Sequence, residues 1–176
     1  MELRLSEGNL KEIDNIRDRI ENNSSQLENI VNDIINPYCK DLDKYVRFIA
    51  DCLHDGENPP TDAELEDFCM NLSTYIYFAG GMCEQLGIKD DIGKAIYKEI
   101  YNTARANQDS GTVADKNTEA EIQSLNEALN QVIYQRSYKM IKSKVEMGQE
   151  MINSLKRVFD ARMNDLELSR GVRKWI

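Results

Sequence analysis

Proline is the residue that most restricts this chain. It occurs three times in 176 residues, at Pro37, Pro59 and Pro60, and nowhere in the 116 residues that follow. Inside a helix a proline costs about 3 kcal/mol, because it removes a backbone hydrogen bond and clashes with the preceding turn. Its absence over so long a stretch permits very long helices. The segment from Thr112 to Arg170 uses that freedom, with Gly148 as its only glycine. Asp115, Glu119 and Glu121 enrich its start in acid, and Lys156, Arg157, Arg162 and Arg170 enrich its end in base. That polarity complements a helix dipole. Ile122, Leu125, Leu129 and Val132 form a first apolar stripe, and Ile141, Val145, Gly148, Ile152, Leu155, Phe159, Arg162 and Leu166 continue at 4-3 spacing. One helix of about 55 residues would be roughly 80 Å long. A 20.3 kDa globule is narrower than that, so the segment must pack against another chain or bend back, and Gly148 is the expected bend.

The prolines partition the rest. Pro37 pushes Asn36 out of the helical region, which predicts a break there and a division into residues 1–36 and 37–176. Within 1–36, Ile13, Ile16, Ile20, Asn23, Leu27, Ile30 and Ile34 follow a strict 3-4 alternation. This is a heptad seam with one polar interruption, and an asparagine in such a seam fixes register and oligomer state at some cost in stability. Two readings fit it: an oligomerising coiled coil, or an amphipathic helix packed on its own domain. A second helix carries Leu42, Tyr45, Val46, Ile49, Cys52 and Leu53, and stops at Asp55-Gly56-Glu57-Asn58-Pro59-Pro60, a run of turn formers. Thr61 and Glu64 have capping-box spacing. They open a third helix with Leu65, Phe68, Cys69, Leu72, Ile76 and Ala79 on its inner face. Gly80-Gly81 predicts a kink or a close helix crossing, and Gly87 a C-terminal cap. A fourth helix, about Lys89 to Ala106, has Ile92, Ala95, Ile96 and Ile100 as its inner face. Tyr75-Ile76-Tyr77-Phe78 is the sole short β-like run, and it falls inside a helical period. The expected fold is all-α, an antiparallel helical bundle with a very long C-terminal helix from about residue 112 and an N-terminal coiled-coil-like helix.

Most chemistries are excluded by what is missing. Cys39, Cys52, Cys69 and Cys83 form no C-x-x-C pair, and His54 is the only histidine, so zinc spacing is not met. The three later cysteines occupy apolar helical phases, as buried free thiols do. Di-iron bundles need a Glu-x-x-His on each of two helices, which one histidine cannot supply. Gly80-Gly81 follows no strand and precedes no Lys-Ser/Thr pair, so it is not a phosphate loop. No catalytic residue, metal site or cofactor is expected, and the chain reads as a non-enzyme. With 30% charged residues and a mean hydropathy of −0.59, no membrane span is expected. The opening MELRLSEGNL has no apolar h-region, so no secretory leader is expected either, and the expected location is cytoplasmic.

Charge is uneven. The chain carries 22 Lys and Arg against 31 Asp and Glu, a net of −9. From Gln131 to Ile176 ten basic residues face five acids, a net of +5, which leaves −14 for the other 130 residues. Such asymmetry points to a partner-binding end. Within the basic part, Arg136, Lys139, Lys142 and Lys144 are interleaved with Tyr134 and Tyr138. Rings that stack bases beside cations that meet phosphates are the components of a single-strand platform. The same residues would equally make a solvated helix face, or pair between subunits with the acidic N-terminal helices.

The order of elements resembles a known family. A tyrosine-rich helix, Ile96-Tyr97-Lys98-Glu99-Ile100-Tyr101, is followed by a glycine-containing break and the acidic start Gly111-Thr112-Val113-Ala114-Asp115-Lys116. The long helix then carries Tyr134-Gln135-Arg136-Ser137-Tyr138-Lys139 and ends in Leu155-Lys156-Arg157-Val158-Phe159-Asp160-Ala161-Arg162-Met163. Over about residues 66–170 this resembles the small phage recombination-mediator proteins of the UvsY type. The resemblance implies an all-α protein that forms homo-oligomers, binds single-stranded DNA and loads a RecA-like recombinase in a bacterial host cell. It assigns DNA contact to Tyr134, Arg136, Tyr138, Lys139, Lys142 and Lys144, and places Phe159 and Arg162 where that family assembles. The N-terminal heptad helix stands outside it as an extra arm, and this chain is more acidic than such mediators usually are. Two other functions fit the sequence: a structural assembly protein of a virion or scaffold joined through the Ile13–Ile34 heptads, and an acidic inhibitor that mimics DNA on a basic partner.

Overall fold

The computed structural model describes residues 7–108 and 111–172. Among them are four α-helices and no strand: α1 (Glu7–His54), α2 (Asp62–Ala106), α3 (Val113–Gln123) and α4 (Leu125–Val172). Local chemistry fixes two of the starts. At α2 the Thr61 N–H donates to Glu64 Oε2 at 2.7 Å and the Glu64 N–H donates to Thr61 Oγ1 at 3.3 Å. The Thr61 N–H bond above all, and then the Thr61 hydroxyl, which donates to the same Oε2 at 2.8 Å, hold the Glu64 carboxyl below its usual range. Thr112 and Asp115 repeat the device at α3, with Gly111 before them in the left-handed region at φ 105°. In the first loop Asp55 accepts from the N–H groups of Glu57 and Asn58.

Helices α2 and α4 form the antiparallel centre. Asp90 bonds Gln131, Gly87 meets Tyr138, Gly148 meets Ile76 and Asp62 pairs with Arg162, so α4 ascends as α2 descends. Helix α1 lies against both. It is antiparallel to α2, where Tyr45 and Phe48 meet Phe68 edge-on. It is parallel to α4, where Lys144 reaches Asp43. The core is one cluster with Ile35, Cys39, Leu42 and Ile49 from α1, Leu65, Leu72, Ala79 and Leu86 from α2, and Ile141, Ile152 and Leu155 from α4. Fully burying an aliphatic side chain of this size is worth about 1.5–3 kcal/mol, so the shared core outweighs local preferences elsewhere.

That explains the departures from the sequence reading. No break occurs at Pro37: α1 runs through it and across the expected 36/37 division. Ile35 and Cys39, 1% and 0% exposed, anchor both sides of the proline in the core. Its ring and Asp33, four residues earlier, lie on the exposed face, where water can serve the freed carbonyl. Neither Gly80-Gly81 nor Gly87 interrupts α2. At Gly80 and Gly81 a Cβ would meet nothing within 4 Å, so the pair makes no close crossing in this chain. At Gly87 a Cβ would sit 3.3 Å from the Tyr138 ring, so this glycine serves helix contact rather than capping. Gly148 is likewise no break in α4; it admits Ile76, whose Cδ1 would lie 3.0 Å from an added Cβ. The interruption falls at Ser124 instead. The Ser124 hydroxyl donates to the Ala120 carbonyl at 2.7 Å, a back-bond that competes with helical geometry. The backbone bonds Ser124 N–H to Ala120 O and Ala128 N–H to Ser124 O persist on either side.

Two expected inner faces lie outward. Ile92, Ala95 and Ile96 are exposed and Ile100 is half-buried. Ile122, Leu125 and Leu129 are also exposed, while Ala120 and Ser124 are the buried residues of that stretch. The apolar stripes are there, but among the described residues no helix covers them. The second stripe of the long segment enters the core from Ile141 to Leu155, with Ile141, Ile152 and Leu155 all buried, but its last member, Leu166, is exposed.

Candidate nucleic-acid interface and assembly edge

Between Glu127 and Glu146, α4 carries no acid, and its cations there are Arg136, Lys139, Lys142 and Lys144. Helical geometry distributes them around the rod. Arg136, Lys139 and Lys142 are exposed. Lys142 approaches Glu146 at 3.9 Å and stands 6.0 Å from the centre of the Tyr138 ring. Lys144 points the other way, toward α1, and donates to both carboxylate oxygens of Asp43 at 2.6 Å. That ion pair ties α1 to α4.

Tyr134 and Tyr138 are half-buried and packed on the core. The Tyr138 ring lies over Gly87, and Lys89 of α2 stands 5.7 Å from the centre of the Tyr134 ring. The two tyrosines therefore work first as packing residues between α2 and α4. Tyr134 also lines an open groove of about 370 Å³ with Lys89, Ile92, Gly93, Ile96, Glu127 and Asn130. Phe159 packs on the core, and Arg162 donates to the Pro60 carbonyl at 2.6 Å, fastening α4 to the first loop.

Sequence reasoning missed Lys89, Asp90 and Gln131. Asp90 is 5% exposed, yet accepts from Lys94 at 2.6 Å and from Gln131 at 2.9 Å. Burial pushes its carboxyl upward, but these bonds and the charges of Lys94 and Lys139 outweigh it and hold the group below its usual value. The Asp90–Lys94 spacing of four was legible; the bond from Gln131, 41 residues away, was not. Burial raises the Cys39 thiol to about 11 and pushes Cys69 and Cys83 up as well, so these cysteines are poor nucleophiles. Among the described residues no group of three or more His, Cys, Asp or Glu could hold a metal ion, and no helix is long and apolar enough to cross a membrane.

The heptad residues form a second feature. The side chain of Ile13 lies outside the described residues. Ile16, Ile20 and Ile30 are 50%, 61% and 45% exposed, Asn23 is exposed, and Leu27 and Ile34 are half-buried. Leu27 and Ile30 line a groove against Leu129, Val132 and Ile133 of α4. The seam is thus an apolar edge on a helix whose other face, Val31 and Ile35, enters the core. Comparison with protein-family models, with curated proteins and with solved structures gave no match to this chain.

Proposed function

We propose that this chain is a non-catalytic helical accessory protein of DNA recombination or replication, which binds single-stranded DNA as a homo-oligomer and acts beside a recombinase. The observation that supports the DNA contact is the acid-free run of α4, with Arg136, Lys139 and Lys142 exposed on a chain of net charge −9. The run from 128 to 145 is about 27 Å long at 1.5 Å per residue. Because Tyr134 and Tyr138 are packed and Lys144 is paired, the reading rests on phosphate contacts more than on stacking. Three contacts per chain make a weak site, and an oligomer strengthens it by avidity.

A salt titration of oligonucleotide binding tests this. Three phosphate contacts on a single strand give a slope of log affinity on log salt of roughly −2 for an isolated site. Reversing the charges with Arg136→Glu, Lys139→Glu and Lys142→Glu together abolishes binding on this reading. Binding absent at low salt, or indifferent to salt, would count against it. A second reading, a structural assembly protein without nucleic acid, is favoured by the exposed aliphatic residues of α1 and of the α3–α4 segment. Native mass measured with and without a single-stranded oligonucleotide separates the two.

A further inference from the structure

One end of the molecule is a helix short. From Val31 onward α1 shares the core with α2 and α4, but residues 15–30 are all exposed except half-buried Leu27. Among the described residues α1 contacts α2 and α4 and makes no contact with α3. The first part of α1 therefore stands off from the α3–α4 rod and leaves a cleft. Ile30 and Leu129 line its two walls; at 3-4 helical spacing Ile20 and Ile16 continue the row of Leu27 on one side, and Leu125 and Ile122, 56% and 64% exposed, continue the row of Leu129 on the other. The floor is an open groove of about 460 Å³ where Leu27 and Ile30 approach Leu129, Val132 and Ile133. Monomeric proteins scatter exposed apolar side chains singly; two rows facing one cleft mark an interface.

We propose that the occupant is a second copy of this chain, each copy laying the N-terminal half of its α1 antiparallel in the cleft of the other. This names the surface for the homo-oligomer proposed above and does not depend on DNA binding. The cleft calls for an amphipathic helix with a 3-4 apolar stripe on each side it touches, and the first half of α1 has that pattern. Ile16 to Ile30 extends about 21 Å, enough to cover the row from Ile122 to Val132. Charge selects the direction. In an antiparallel heptad register that layers Ile20 on Ile30 of the second copy, Arg19 falls beside Asp33 of that copy, and symmetry repeats the pair. Arg19 and Asp33 are both exposed, and neither has an ion pair among the described residues of the single chain. The same register sets Asn23 against Leu27 of the second copy, near the two-fold axis. A parallel in-register pairing would set Arg19 beside Ser24 and gain no ion pair.

The test is the mass of the full chain in solution without DNA, by light scattering and sedimentation. An even-numbered assembly is expected. Ile20→Glu, and separately Leu129→Glu, each weaken it by about 30-fold or more, the effect of losing one interface hot spot. Helix content by circular dichroism stays unchanged, because both side chains are exposed in the single chain. Arg19→Glu weakens assembly, and Arg19→Glu combined with Asp33→Arg restores it. A wild-type monomer at about 100 μM, well above the dissociation constant of a specific pair of this kind, overturns the proposal. So does an assembly that Ile20→Glu leaves intact, and failure of the charge swap to restore association overturns the antiparallel arrangement. Oligonucleotide binding is read separately: its absence in an intact assembly removes the proposed DNA function and leaves this surface standing.

Discussion

Replacing Gly80 and Gly81 by alanine should stabilise the protein, although paired glycines in mid-helix would suggest a close crossing that alanine could not enter. Both glycines lie inside the 45-residue helix α2, and a Cβ at either meets no atom within 4 Å. The change is then governed by backbone entropy and helix propensity alone. Each Gly→Ala substitution in a helix interior is worth about 1 kcal/mol, part of it through the unfolded chain. The double variant should gain about 2 kcal/mol, which for a chain of this length raises Tm by about 4–8 °C. Gly87→Ala provides the internal contrast: its Cβ would press on the Tyr138 ring at 3.3 Å, so its gain should be smaller or reversed. Thermal unfolding followed by circular dichroism at one fixed protein concentration reads all three, since association makes Tm depend on concentration. A double variant that gains nothing, or loses stability while Gly87→Ala gains it, would refute the account of α2 as an uninterrupted helix with open space over the pair. It would place a close neighbour there.

Three further outcomes follow from the geometry. Asp90 has a folded-state pKa below its unfolded value, so its contribution is complete above the ordinary carboxylate range and is lost as pH falls through the folded pKa. Asp90→Asn should therefore lower stability near neutrality by about 1–3 kcal/mol and narrow its gap to the wild type below about pH 4; urea curves that stay equally separated down to pH 3 would contradict this. Ser124→Ala removes the bond to the Ala120 carbonyl and should join α3 to α4, gaining up to about 0.5 kcal/mol with slower amide exchange at 121–125. Thr61→Ala and Thr112→Ala each remove a cap and should each cost about 1 kcal/mol, measured as a lower denaturant midpoint at constant slope.

The elements that were legible in the sequence are those fixed by local chemistry. The turn at 55–60 and the Thr61–Glu64 cap follow from neighbouring residues and stand as read, whereas the last helix, read as continuous from about 112, is divided at Ser124. The misreadings concern what lies across space. Proline and glycine are destabilising in a helix by known amounts, but whether they end one depends on the core gripping either side. Ile35 and Cys39 grip Pro37; Leu86 holds α2 just before Gly87. The candidate strip shows the same limit. Spacing places Tyr134, Tyr138 and Lys142 on adjoining positions, but only the packed α2 reveals that Gly87 receives one ring and Lys89 covers the other. Lys144 looked like one more exposed cation until Asp43, 101 residues away, was brought beside it.

Among the described helices, the one that completes the core is also the last to be made. Leu65, Leu72 and Leu86 of α2 share the core with Ile141, Ile152 and Leu155 of α4, α2 packs more extensively on α4 than on α1, and α4 begins only at Leu125. Synthesis at about 5–20 residues per second takes roughly 2–10 s to add its 48 residues. During that interval α1 and α2 stand as a hairpin with an uncovered apolar seam. A chain stopped before Leu125 would keep that seam open permanently. Such truncated products should go to chaperones and proteases rather than accumulate, and the N-terminal half should not persist as a free fragment in the cell.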